Sequence, residues 1–147
     1  MSPEEQQGGG AAAPPLRLEL ERRVEAIEAG YEFMLAYAAQ GLPSDAGSAS
    51  GSQVREFLKR FDSALTGLSD VYRHIVDGEG LASAPAHHAF LDVLARDATA
   101  SQAAIRMVLA LPAISSQLVD NLNASIHVRA LLTDIFLIDE ALKTRPA

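Results

Sequence analysis

Between Val54 and Ile75 the apolar residues Val54, Phe57, Phe61, Leu65, Leu68, Tyr72 and Ile75 recur at steps of 3, 4, 4, 3, 4 and 3. That spacing places all seven side chains on one face of an α-helix, whereas a half-buried strand would alternate every second residue. A helix with one such stripe buries it against other helices, so the rest of the chain has to supply partners.

It does. Leu20, Val24, Ile27, Tyr31, Met34 and Ala38 step by 4, 3, 4, 3 and 4, which predicts a first helix over 16–40, ended by Gly41 and Pro43. "LPSDAGSASGS" then reads as a flexible loop. The opening stripe predicts a second helix over 53–77, ended by Gly78 and Gly80. A third, over 85–110, has Leu91, Leu94, Ala98, Ser101, Ile105 and Val108 on its inner face. A fourth is expected over 112–143, with Pro112 suited to a first helical position. β-Branched residues form no alternating runs, so no strand is expected. The fold class is all-α, read as an antiparallel four-helix bundle in one domain over 16–143. Residues 1–15, "MSPEEQQGGGAAAPP", are glycine, alanine, proline and charge, and are expected to form a disordered tail.

The fourth helix is the unusual one. At 1.5 Å per residue it would be about 48 Å long. Its first half carries Leu118, Val119, Leu122 and Ile126; its second half carries Val128, Leu131, Ile135, Ile138 and Leu142, on a different face. The change falls in "DNLNASIH", where Asn121, Asn123 and Ser125 are poor interior helix residues. Either the helix kinks near Asn123, or it stays straight and meets different neighbours along its length. In "HVRALLTDIFLIDEALK" a second apolar patch remains, with Leu132 and Phe136 widening the main stripe and Leu137 well away from it. Surface that apolar is expected to be covered by another chain. A homodimer is the simplest case, and another protein partner is the alternative.

Charge and composition exclude several function classes. Twelve Lys and Arg stand against 19 Asp and Glu, a net charge of −7, and "VREFLKRF" offers only Arg55, Lys59 and Arg60, so no nucleic-acid partner is expected. There is no cysteine, hence no disulfide and no thiolate metal site. No apolar run reaches the roughly 18 residues of a membrane span. The acidic start is unlike a signal peptide, which fits a cytoplasmic protein.

Candidate sites are few. The residues three before His74, His87, His88 and His127 are Val71, Ala84, Pro85 and Ala124, so the Glu-x-x-His pairs of a di-iron bundle are missing. H-E-x-x-H, G-x-S-x-G and a phosphate-binding glycine loop are missing too. The sequence therefore suggests no catalytic residue, no metal and no cofactor. "HIVDG" at 74–78 has the spacing of a phosphotransfer histidine motif, but Asp77 stands where a lysine is needed, and a surface histidine near a helix end is the simpler reading.

Three groups remain. Asp120, Asn123 and His127 follow one ridge of the fourth helix and Asp134 continues it. They are the polar handles of any ligand site facing the small-residue middle of the third helix, where Ala98, Ala100, Ala103 and Ala104 lie. Leu132, Phe136 and Leu137 are the expected interface. Glu21, Glu25, Glu28 and Glu32 form an acidic stripe on the first helix, a solvated face or a dock for a basic surface. The expectation is an acidic helical interaction protein (adaptor, chaperone-like factor or regulatory subunit) that self-associates through its last helix. The alternative is a ligand-binding bundle or small helical enzyme with a pocket between the third and fourth helices.

Overall fold

The computed structural model describes residues 13–144. The described residues are helices and connections only. In chain order the helices are α1 (Ala13–Ala39), α2 (Gly51–Leu65), α3 (Leu68–Glu79), α4 (Ala84–Leu109), α5 (Ser116–Ala124) and α6 (Ile126–Lys143). The count is six rather than four because two of the expected helices are broken. Residues 1–12 of the expected tail lie outside the described residues, and its last three belong to α1. Pro14 and Pro15 fall in the first turn, where a backbone N–H would have no intrahelical partner in any case.

The first break is at Thr66 and Gly67, where Gly67 takes a left-handed φ of 78°. Side chains from two neighbouring helices tie down the groups the break frees. Arg23 of α1 donates to the carbonyls of Ala64 and Thr66. Gln102 of α4 donates to Asp62 O at 3.0 Å and to Thr66 Oγ1 at 2.8 Å. Leu65 and Leu68 are buried on either side, so the apolar face carries on across the break.

The second break is at Ser125, two residues beyond Asn123. Its ψ of 145° ends α5, and its hydroxyl accepts from Val128 N at 3.3 Å to cap α6. The expected start at Pro112 is also displaced, to Ser116. Residues before it are pinned outside a helix: Ile114 N donates to Asp45 Oδ1 at 2.9 Å, and Ile114 O accepts from Tyr37 at 2.7 Å. Ser115 then caps α5 by accepting from Leu118 N at 3.0 Å.

The packing follows from these breaks. α1 lies on α2 and α3, which lie in turn on α4. α5 packs mainly on α1, whereas α6 packs on α4 and makes little close approach to α1. One continuous core includes Met34, Tyr37, Phe61, Tyr72, Leu94, Ile105 and Leu131, all fully buried. Each large apolar side chain taken out of water here contributes roughly 1.5–3 kcal/mol before entropy is counted. At one point helices approach especially closely: a Cβ on Gly30 would stand 2.8 Å from Phe61 Cδ2.

Arg55 adds a further tie at the loop end of the helices. Arg55 Nε donates to Asp45 Oδ2 at 2.8 Å, and its two terminal nitrogens donate to the carbonyls of Leu109 and Leu111 at 2.9 Å each. Asp45 is held below the usual carboxylate range, first by the Ile114 N–H and then by Arg55.

Candidate functional site

The polar ridge expected on the fourth helix is divided by the break at Ser125. Asp120 is exposed and lines a depression beside Leu35 and Leu42, at the far end of α1. Asn123 is half-buried, and His127 is exposed. Asp134 turns the other way and is only 6% exposed, in the seam with α4. These four residues do not form one site. The small-residue middle of α4 serves close helix packing there. Ala98 and Ser101 are buried, and Ser101 Oγ donates to His127 O at 3.0 Å across the seam.

Asp134 has a partner that the sequence did not single out. Its carboxyl is paired with that of Asp97 on α4, and burial, followed by that neighbour's hydrogen bond and charge, pushes it up to about 7. Asp134 Oδ2 meets no N–H or O–H donor among the described residues, so the pair is joined only when one carboxyl carries a proton. A second carboxyl, the half-buried Asp139, accepts from Tyr72 Oη at 2.7 Å and links α6 to α3. Burial raises its pKa, while the Tyr72 hydrogen bond and Lys143 oppose the rise.

Three of the four histidine rings make polar contacts among the described residues. His74 Nδ1 meets Asp70 O at 2.8 Å and His87 Nδ1 meets Ser83 O at 2.9 Å, each one turn back on its own helix. His88 joins α4 to α3, with Nε2 2.7 Å from Asp77 Oδ1 and Nδ1 3.2 Å from Arg73 Nη1. A carboxylate on one side and a guanidinium on the other suit a ring whose Nε2–H points to Asp77 while Nδ1 accepts from Arg73. Asp77 thus belongs to an interhelical link. Among the described residues no group of three or more His, Cys, Asp or Glu side chains is placed to hold a metal ion.

The acidic stripe and part of the apolar patch, read separately in the sequence, lie on opposite walls of one groove. Because α6 swings onto α4 after Ser125, it parts from α1 and leaves two adjoining depressions of about 660 and 380 Å³ that share Glu28. All four glutamates of the stripe line the α1 wall. Leu132 and Phe136 line the α6 wall, with Phe136 66% exposed. Of the expected α1 stripe, Ile27 and Met34 are buried in the core, joined there by Tyr37, while Leu20, Val24 and Tyr31 pack against its edge and line the groove half-buried. An apolar stripe that a straight fourth helix would have covered is therefore left partly open.

Leu137 does not line this groove. It is 54% exposed on the outer side of α6, where Ile126, 74% exposed, shares its face eleven residues earlier. Comparison of the chain with protein-family models, with curated proteins and with solved structures gave no match. No described helix is long and apolar enough to cross a membrane.

Proposed function

We propose that this chain is a helical interaction protein, an adaptor or regulatory subunit, whose working surface is the groove between α1 and α6. The observation that carries this reading is the convergence of exposed Phe136, half-buried Leu132 and Tyr31 and the glutamates of α1 in one trough. Helix-in-groove docking uses such a trough, with apolar anchors along its floor and charge along its rim. Nothing comparable supports a reaction: the buried carboxyl Asp134 faces Asp97 and the half-buried Asp139 accepts from Tyr72, each between α6 and another helix.

The test is chemical cross-linking in lysate of the native host, followed by mass spectrometry. The tagged wild-type chain is expected to retain a stoichiometric partner that Phe136→Glu loses and Leu137→Glu keeps. A wild-type chain recovered without any partner would remove this reading.

Self-association is a second reading, and a different observation favours it. Ile126 and Leu137 make an apolar strip on the outer side of α6, away from the groove. A two-fold pairing of that strip would cover it in a homodimer. Sedimentation over a concentration series is expected to show a dimer for wild type and a monomer for Leu137→Glu. A wild-type mass that stays monomeric throughout excludes it.

A further inference from the structure

We infer that the occupant of the α1–α6 groove is an amphipathic helix of another protein, with a row of Lys or Arg along one flank of its apolar stripe. The inference rests on the interaction reading above and adds the chemistry of the partner.

The length of the groove suits a helix. Its α1 wall runs from Arg17 to Leu35. At 1.5 Å per residue that is about 27 Å, or about five turns of a docked helix. Its floor suits an apolar stripe, since Leu35 and Phe136 stand exposed at one end and Leu20 and Val24 are half-buried at the other.

Charge then separates the candidate occupants. Glu21, Glu25, Glu28 and Glu32 are exposed, and among the described residues none of them is in a salt bridge. Steps of 4, 3 and 4 present them as one row, which a helix carrying Lys or Arg at the same spacing can match. Arg17 on the α1 wall is paired with Glu79 and Asp139 on the α6 wall is engaged by Tyr72, while the α6 wall also carries Arg129 and Lys143, so the partner's other flank is neutral or acidic.

A second copy of this chain fits badly. It brings a net charge of −7 and the same glutamate row, and like charges placed face to face oppose docking. The chain's own first twelve residues fit no better, holding Glu4 and Glu5 and no Lys or Arg. A basic helix from another protein is the remaining occupant, and the one the rim attracts.

The experiment uses three synthetic peptides of about 18 residues. They share one leucine stripe and differ only in the flank, which carries Lys, Gln or Glu. Binding to the full chain is read by fluorescence anisotropy at about 50 and about 500 mM salt. The lysine peptide is expected to bind at least about tenfold tighter than the glutamine peptide at low salt, and to lose most of that advantage at high salt. The glutamate peptide is expected not to bind. Glu28→Lys/Glu32→Lys changes exposed side chains only and should reverse the order of the lysine and glutamate peptides. Phe136→Glu should abolish binding of the lysine and glutamine peptides.

Equal binding of the three peptides, lost in Phe136→Glu, would overturn the basic-partner inference and leave the groove standing as a docking site. Lysine-peptide binding unchanged in the Glu28→Lys/Glu32→Lys variant would also overturn it, since the attraction would then come from overall charge. No binding by any peptide would do the same, while the cross-linking experiment above judges the interaction reading separately.

Discussion

Asp134 on α6 and Asp97 on α4 are neighbouring carboxyls in the seam between their helices, and a hydrogen bond between two carboxyls requires a proton on one of them. Asp134 is almost fully buried and its acidity is displaced up to about 7 from an ordinary value of 3.8. The folded state therefore binds a proton that the unfolded chain has already released above about pH 4. The contribution of the pair is complete below that range, declines as pH rises from about 4 to about 7, and is gone above it. Asp134→Asn replaces the titrating O–H with a permanent amide donor to Asp97. At pH 8 it is expected to raise unfolding free energy by on the order of a few kcal/mol over wild type, with the gain vanishing near pH 4. Urea unfolding of both proteins across this range checks it, and parallel curves would show that Asp134 does not titrate in this window.

The arginine at the loop end makes a second expectation. Arg55 serves Asp45, Leu109 O and Leu111 O with one planar guanidinium. Arg55→Ala leaves two carbonyls and a carboxylate without that donor, an expected loss of about 1.5–3 kcal/mol. Arg55→Lys should recover little, because a single ammonium lacks the planar fork that reaches three acceptors. Thermal unfolding of the three proteins decides the point, and full rescue by lysine would mean that only charge matters there.

The approach of α1 to α2 supplies a third. Gly30 packs against fully buried Phe61, with 2.8 Å left for any added methyl. Alanine in a helix interior normally gains up to about 1 kcal/mol over glycine, but overpacking a filled core costs about 1–3 kcal/mol. Gly30→Ala is therefore expected to destabilise on balance. Phe61→Leu should remove part of that penalty, so the two changes should combine non-additively in denaturant unfolding.

These residues also show what was legible in the sequence. The helical class and the third helix followed directly from apolar spacing. The breaks did not. At Thr66 and Gly67 the stripe passes from Leu65 to Leu68 at the correct helical step, so the periodicity carries no trace of the interruption. At Ser125 the change of face was visible, but its consequence, a fourth arm leaving α1 for α4, depends on packing. For the same reason Leu20, Val24 and Tyr31 read as core when they line a groove. The glutamate row and Leu132 with Phe136 were legible as separate features, and only the fold puts them face to face. Asp97 was hidden in a helix read for its small residues, and nothing in linear order pairs it with Asp134.

The hydroxyl of Ser125 sits at the turn where α6 departs from the line of α5. It caps α6 by accepting from Val128 N, while its extended backbone redirects the chain after α5. Alanine keeps no acceptor and has a higher helical propensity, so Ser125→Ala removes the cap and favours running α5 into α6. The expected cost is about 1 kcal/mol of stability. It should be accompanied by faster hydrogen exchange of the Val128 amide, while core amides such as that of Leu94 lose protection only by the global amount. A variant with unchanged Val128 protection would show that contacts with α4, including the Ser101 to His127 hydrogen bond, fix the direction of α6 without the cap.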